Sequence, residues 1–317
     1  MSLPTVLQNR LSLPVVASPM FIASGPELVI AQCKAGVVGS FPALNARPAS
    51  LLNDWLDRIE AELAGTDAAP FAVNQIVHRS NNRLEQDMAT IVEHQVPIVI
   101  TSLGARPEIN DAVHSYGGIV LHDIINNRFA HKAIEKGADG LIAVAAGAGG
   151  HAGTLSPFAL VQEIRQWFDG PLLLSGSIAH GRSVLAAQAA GADLAYVGSA
   201  FLATDEANVV DDYKQMIVDS SADDIVYSSL FTGVHGNYLR GSIEAAGLDP
   251  RNLPQGDPTT MDFGSGSTSD AKAWKDIWGA GQGLGVIDAT VPAADLVARL
   301  QREYEAARRE LLAAVPV

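Results

Sequence analysis

The stretch GAGGHAG, residues 147–153, sets one histidine among six residues of which none is larger than alanine. Small residues let a backbone approach another group closely, and a histidine near neutral pH can bind, donate or take a proton. Two other segments share this smallness: Ser175, Gly176 and Ser177 follow the apolar run LLL, and Gly198 and Ser199 follow LAYV. Together with Gly147, Gly149 and Gly150 they make three segments able to turn backbone N–H groups toward an anion, the chemistry of a phosphate site. Other residues with chemical potential stand in or just after further apolar runs: Met20 and Phe21, Asn74, Ser102, and the neighbours His122 and Asp123. By type alone, Asn74 and Ser102 suit either a ligand or the local backbone. His122 beside Asp123 suits either a structural hydrogen-bonded pair or a proton donor.

The elements that must position these residues follow a rhythm. Eight β-branched or leucine-rich runs recur: 14–20, 37–41, 71–76, 97–104, 118–124, 140–147, 171–177 and 193–200. Amphipathic patterns such as LLNDWLDRIEAELAG and SPFALVQEIRQWF lie between them. Strands this apolar are buried on both faces, which predicts a parallel sheet covered by helices. Eight β–α units in roughly 200 residues fit an α/β fold of the (β/α)₈ TIM-barrel type. Such barrels carry their active sites at the C-terminal strand ends and often bind phosphate after strands 7 and 8. The segments at 175–177 and 198–199 fall in those two places. A local repeat supports the reading, since EKGADGLIAV and AAGADLAYV both run helix end, glycine cap, Ala-Asp, strand. An open doubly wound sheet is the alternative, but no G-x-G-x-x-G follows the first strand.

After residue 204 the rhythm stops, and 206–280 is polar and largely helical, with GDPTTMDFGSGSTSD expected as a loop. The stretch AADLVARLQREYEAARRELLAA reads as one amphipathic helix packed outside the barrel. The expected organisation is a barrel from 1–204 and 285–317, with 205–284 as a smaller, mainly helical substrate or cap domain over its mouth.

Lys plus Arg is 21 against 35 for Asp plus Glu, a net charge of −14, and no basic stripe offsets it. That balance argues against nucleic acid and anionic membrane as partners. Cys33 is the single cysteine and reads as a small buried hydrophobe, which suits a cytoplasmic protein. The first twenty residues have neither the pattern of a signal peptide nor a spanning length of apolar residues. No metal site is expected, because the eight histidines are scattered without ligand spacing. Lys34, Lys132 and Lys136 fall in helices or at their ends, which argues against a Schiff-base isomerase or aldolase on a non-redox phosphate-binding barrel.

The strings VLHDIINNRFAHKAIEKGADGLIAVAAGAGGHAGTLSPFALVQEI and LLLSGSIAHGRSVLAAQAAGADLAYVGSAFLATDEA resemble the nitronate monooxygenase family, formerly the 2-nitropropane dioxygenases. So do ASPMF near the start and GQGLGVIDATVPAADLVARL near the end. The likeness is most specific from 118 to 207 and weak from 208 to 280. It implies FMN on a TIM barrel with a smaller substrate domain, and an enzyme oxidising alkyl nitronates with O₂ to carbonyl compound and nitrite. It further implies that Gly150, Ser177, Gly198 and Ser199 hold the FMN phosphate, that Met20, Phe21 and Asn74 line the isoalloxazine ring, and that Ser175 and Gly176 follow the ribityl chain. Gln282 would add a flavin contact, and His151 falls on the family's active-site histidine. Asp123 departs from the pattern: several relatives carry lysine there, and an acid supplies no positive charge to a reduced flavin. His122 fills that gap only if protonated. The same scaffold resembles NAD(P)H:quinone and enoyl reductases that also use FMN, which is the competing reading.

Overall fold

The structure, a computed structural model, describes residues 3–257 and 276–314. Its main sheet consists of β1 (Val15–Ala17), β2 (Gly39–Pro42), β3 (Phe71–Ile76), β4 (Ile98–Ser102), β5 (Ile119–Ile124), β6 (Gly140–Val144), β8 (Leu172–Ser175) and β9 (Leu194–Val197), while a short β7 (Gly150–His151) lies apart from it. The strands run parallel in the order β1-β9-β8-β6-β5-β4-β3-β2. Val38 closes the ring, since its N–H donates to the Val15 carbonyl and its own carbonyl accepts from the Ala17 N–H. The molecule is a TIM barrel.

The two faces of the strands explain why they read as unbroken apolar runs. Val16, Ile98, Ile100, Leu121, Ile142, Leu173 and Leu194 form one buried cluster with no helical residue apart from Leu7 of an N-terminal 3₁₀ turn, so they fill the barrel. Their neighbours Val15, Val99, Val120, Leu141, Leu172 and Ala195 belong to a second cluster shared with the surrounding helices. Those helices are α1 (Pro26–Lys34), α2 (Leu51–Leu63), α3 (Leu84–Glu93), α4 (Pro107–His114), α5 (Asn127–Glu135), α6 (Pro157–Arg165) and α7 (Gly181–Ala190).

The repeated Gly-Ala-Asp has a mechanical reason. Gly137 and Gly191 take φ of 95° and 114°, the left-handed region that ends a helix and that glycine enters without a Cβ penalty. The aspartate two residues on then reaches back to the preceding strand: Asp139 Oδ2 accepts from Val120 N at 2.7 Å and Asp193 Oδ2 from Leu172 N at 2.8 Å. Each strand start is thereby tied to its neighbour, which fixes how far the opposite ends project.

The helix Ala293–Ala313 packs outside the barrel on α7, so closely that a Cβ on Gly181 would lie 2.2 Å from the Leu300 carbonyl. Beyond β9 come a single turn α8 (Ser199–Leu202), α9 (Asp211–Asp219), the hairpin β10 (Ile225–Ser228) and β11 (Gly236–Leu239), and α10 (Arg240–Ala245). Thr204 pairs with Val291, bringing the two ends of this excursion together. Tyr238, Ile243 and Ile277 give it a small core of its own. Most of the Gly/Ser/Thr-rich stretch expected as a loop, from 258 onward, lies outside the described residues. Among the described residues no helix is long and apolar enough to cross a membrane.

Candidate active site

A cavity of about 730 Å³ opens at the C-terminal strand ends, within the ~300–1,000 Å³ usual for cofactor and substrate sites. The structure gathers around it Met20, Phe21, Asn74, Ser102, Asp123, Gly149, Gly150, His151, Ser175, Gly176, Ser177, Gly198 and Ser199, all singled out from the sequence. Two others are placed differently. Gln282 is exposed at the rim, its N–H bonded to the Gly147 carbonyl at 2.9 Å. His122 turns to the strand's other face, where it is 6% exposed and its Nδ1 meets Thr101 Oγ1 at 2.5 Å. Strand alternation is the cause, since Asp123 faces the mouth and its neighbour must face the helices. Burial pushes the His122 pKa down to about 4, so it is neutral and supplies no positive charge to the cavity.

The small residues serve distinct purposes. Gly147 has φ of 85°, and a Cβ there would meet Ser177 Oγ at 2.2 Å. A Cβ on Gly149 would lie 2.7 Å from Gly281 N, and one on Gly281 would lie 2.5 Å from the Gly147 carbonyl. These glycines interlock two backbones, and Ser199 Oγ, accepting from Gly281 N at 2.8 Å, ties the same return segment to β9's end. Gly176 and Ser177 take φ of 134° and 56° as the chain turns sharply out of β8. Gly198 is different. Its φ of −114° suits any residue, and an added Cβ would touch nothing closer than Ser18 Cβ at 3.4 Å. Neither backbone nor packing demands glycine at 198, so its smallness leaves room in the cavity.

A polar chain crosses the mouth over β3, β4 and β5. Asn74 Nδ2 donates to Ser102 Oγ at 2.7 Å and to the Ile100 carbonyl at 3.0 Å, and Asp123 accepts from Ser102 and from the Leu103 N–H. Burial raises Asp123 to about 6 despite those two bonds. Tyr196 hydrogen-bonds Ser18 beside it, and burial together with the Asp123 charge raises its phenol further.

The opposite wall belongs to the later part of the chain. β7 pairs antiparallel with β11, Gly150 opposite Asn237 and His151 opposite Gly236, so the histidine's loop is the third strand of the sheet that hairpin β10–β11 begins. Asn237 Nδ2 donates to the Ala148 carbonyl at 2.6 Å and Tyr227 OH to the Ala152 carbonyl at 3.1 Å. His151 Nε2 lies 2.9 Å from Thr232 Oγ1, and burial pushes this histidine down to about 4. Tyr213 and Trp278 stack at 4.9 Å on the same wall. At the rim, the guanidinium of Arg47 lies 5.5 Å from the Phe21 ring centroid, with Nε donating to the Leu44 carbonyl at 3.0 Å. Sequence reasoning missed Thr232, Tyr213, Trp278, Tyr196 and Arg47.

Away from the cavity, α2 and α3 bring ligand-type atoms of Asp57, Glu60 and His94 within 4.8 Å of one another, a grouping that linear spacing does not reveal. His94 is already bonded there to Glu60 at 3.2 Å and Asn53 at 3.0 Å.

Comparison with known proteins agrees with this architecture. The chain is 27% identical to a nitronate monooxygenase of Paraburkholderia phytofirmans, with 94% of each chain aligned. It is 25% identical to a hydroxy-methyl-oxo-octahydroindene-carboxyl-CoA dehydrogenase of Rhodococcus jostii, covering 74% of this chain and 68% of that one. In fold it matches nitroalkane oxidase from Streptomyces ansochromogenes with a TM-score of 0.83 at 24% identity, over 97% of this chain and all of the other. FabK from Thermotoga maritima matches with a TM-score of 0.79 at 23% identity, over 99% of this chain and all of the other. The family model described as nitronate monooxygenase matches residues 75–303, from the strand bearing Asn74 to the helix packed on α7. Because that model spans well over half of the chain, the chain belongs to the nitronate monooxygenase family and is an oxidoreductase.

Proposed function

We propose that the cavity holds FMN and that the protein oxidises alkyl nitronates with O₂ to a carbonyl compound and nitrite. The observation that carries this is Gly198: an unforced glycine next to Ser199, in the same cavity lining as Ser177, keeping open space that a phosphate would fill. We assign the phosphate to Gly150, Ser177, Gly198 and Ser199, the ribityl chain to Ser175 and Gly176, and the ring to Met20, Phe21 and Asn74. Gly149 and Gln282 support that cradle through the return segment at Gly281. The residues fit the group in size and in donor chemistry. When bound there, FMN would supply the one-electron chemistry that links nitronate oxidation to O₂.

The chain's own residues do the remainder. His151, neutral because burial holds it at about 4, orients the nitronate and can take the α-proton of a neutral nitroalkane. Tyr213 and Trp278 exclude water from that side, and Asp123 through Ser102 fixes the amide of Asn74. The segment 205–284 is the substrate cap in this reading. The single cysteine, Cys33, is buried and its thiol raised to about 12, which suits the reducing cytoplasm we infer.

The test is the absorption spectrum of the purified protein, followed by anaerobic mixing with ethyl nitronate and, separately, NADH. A yellow protein that releases FMN, bleaches with nitronate and forms nitrite in air is the expected result. FAD, or no flavin after reconstitution, overturns the proposal. Bleaching by NADH alone moves the protein to the quinone or enoyl reductases.

A further inference from the structure

Two apolar residues at the cavity entrance stand where the local backbone favours a different type. Ile22 has φ of 66°, and across it the Ala23 N–H donates to the Phe21 carbonyl at 2.8 Å, the strained form of the three-residue γ-turn. A β-branched side chain is poorly suited to that region, which glycine enters freely. The turn is held from outside. Asn45 Oδ1 accepts from Ile22 N at 3.0 Å, Asn45 Nδ2 donates to the carbonyls of Met20 and Ser24, and Asn208 Nδ2 donates to the Ile22 carbonyl at 3.3 Å. Val210 is the N-cap of α9, where serine, threonine, asparagine or aspartate would satisfy a helix N–H and where no side chain does so.

Folding accounts for neither choice. Ile22 is 37% exposed and Val210 61%, and both lie outside the buried clusters. Yet both line the cavity, and Asn208 ties their segments together, its N–H donating to the Ala23 carbonyl at 2.9 Å. Among the described residues five other than glycine have positive φ, and three of these, Ile22, Leu103 and Ser177, line this cavity, where strain kept for function collects.

We propose that Ile22 and Val210 form an apolar lip that receives the alkyl chain of the substrate, so that the protein selects nitronates of medium chain length over ethyl nitronate. The inference rests on the reading of the cavity as a nitronate-oxidising site, and it adds which substituent that site takes. The lip is continuous with the lining that carries His151, and a chain laid against it removes apolar surface on both sides from water. Arg47, exposed at the same entrance, is the competing contact for a charged tail.

The experiment uses straight-chain carboxylates as unreactive planar anions in place of the nitronate. In calorimetric titration of the full-length protein as purified, hexanoate is expected to bind about tenfold more tightly than propionate, part of the roughly fourfold that each buried CH₂ allows. Ile22→Gly and Val210→Ser each give the backbone a residue it favours, so folding is spared; each should cut that ratio to about threefold, and the double variant to near unity. The ratio of kcat/KM for the nitronates of 1-nitrohexane and nitroethane should shrink in parallel. Equal affinity of the wild type for the two carboxylates, or a ratio unchanged in the double variant, overturns the proposal. Tighter binding of adipate than of hexanoate also overturns it and gives the entrance to Arg47. So does a dimer in sedimentation that Val210→Ser dissociates without any chain-length ratio, which gives the lip to a second copy of the chain. A binding ratio that shrinks in the variants while no nitronate is turned over upholds the lip and overturns the proposed reaction instead.

Discussion

The cavity has two walls built in opposite ways. On the side of β6, β8 and β9 the wall is backbone, with Gly147, Gly149, Gly176 and Gly281 interlocked through close approaches that a single Cβ would break, and Gly198 leaving room beside them. On the side of hairpin β10–β11 it is side chains: His151, Thr232, Tyr213 and Trp278, drawn from loops, helix and hairpin far apart in the chain. A backbone wall is fixed once the barrel closes and can change only by gaining bulk. A side-chain wall can be retuned residue by residue, but it exists only while the cap sheet holds β7 in place. One wall is suited to an invariant group, the other to a variable substrate.

Substitution of His151 should separate the two walls most sharply. His151→Ala is expected to retain the proposed FMN, because the residues assigned to its phosphate are untouched. It should lose on the order of 10²–10⁴-fold in kcat/KM on neutral nitroethane, the contribution of a general base. The loss on preformed ethyl nitronate should be smaller, since there no proton is removed. Because burial holds His151 at about 4, wild-type kcat/KM on nitroethane should be flat near neutrality and fall only as pH drops through that value. Equal losses on both substrates would make His151 an anion-binding residue.

Bulk on the backbone wall should act on the cofactor alone. Gly198→Val adds a side chain whose Cβ makes only ordinary contact, 3.4 Å from Ser18 Cβ and 3.9 Å from Met20 Sδ, so flavin occupancy should collapse, by about 1–3 kcal/mol of overpacking against the proposed FMN, while the thermal midpoint of the flavin-free protein changes little. Gly150→Val offers the contrast. Gly150 has φ of 64° within the strand paired to Asn237, so this variant should lose flavin and also lower the midpoint through about 1–3 kcal/mol of strain. Full occupancy in Gly198→Val would mean that the phosphate lies elsewhere.

Acid stability tests the fold around the site. His122 is sealed behind β5 with its pKa lowered to about 4, below the ordinary histidine value of about 6.5. The unfolded chain therefore binds a proton that the folded one does not between those values, and stability present above pH 6.5 is lost as pH falls toward 4. His151 adds in the same direction, whereas Asp123, raised to about 6, opposes it by binding a proton when folded. The last two face the cavity and largely offset each other, leaving about one proton, or ~1.4 kcal/mol per pH unit. Urea unfolding of the flavin-free protein at pH 6.5, 5.5 and 4.5 measures it, and His122→Gln should flatten the slope.

The smallest effect is expected at the rim. Arg47 is exposed, so Arg47→Ala should raise KM only a few-fold for a nitronate bearing a second negative group, within the ~0.2–1 kcal/mol of an exposed pair. KM for ethyl nitronate and kcat for both should change less. Equal KM shifts for the two substrates would assign Arg47 to stacking on Phe21 instead.

The sequence by itself determined the barrel and the backbone wall. Runs apolar on both faces, glycine caps followed by Asp139 and Asp193, and small residues after β6, β8 and β9 are local features, and each is visible within a few neighbours. Strand alternation was legible too, yet at His122 and Asp123 the phase was not, because both are polar and no hydrophobic pattern says which one points inward. Only the tertiary structure decided that His122 is walled off, that His151 lies in a cap strand, and that Thr232 faces its ring. Those contacts join parts of the chain that carry no mark of each other. They arise when hairpin β10–β11 adds its edge to the two residues of β7, a pairing so close that a Cβ on Gly236 would lie 2.8 Å from the Gly150 carbonyl, and no local pattern tells either glycine which partner it will meet.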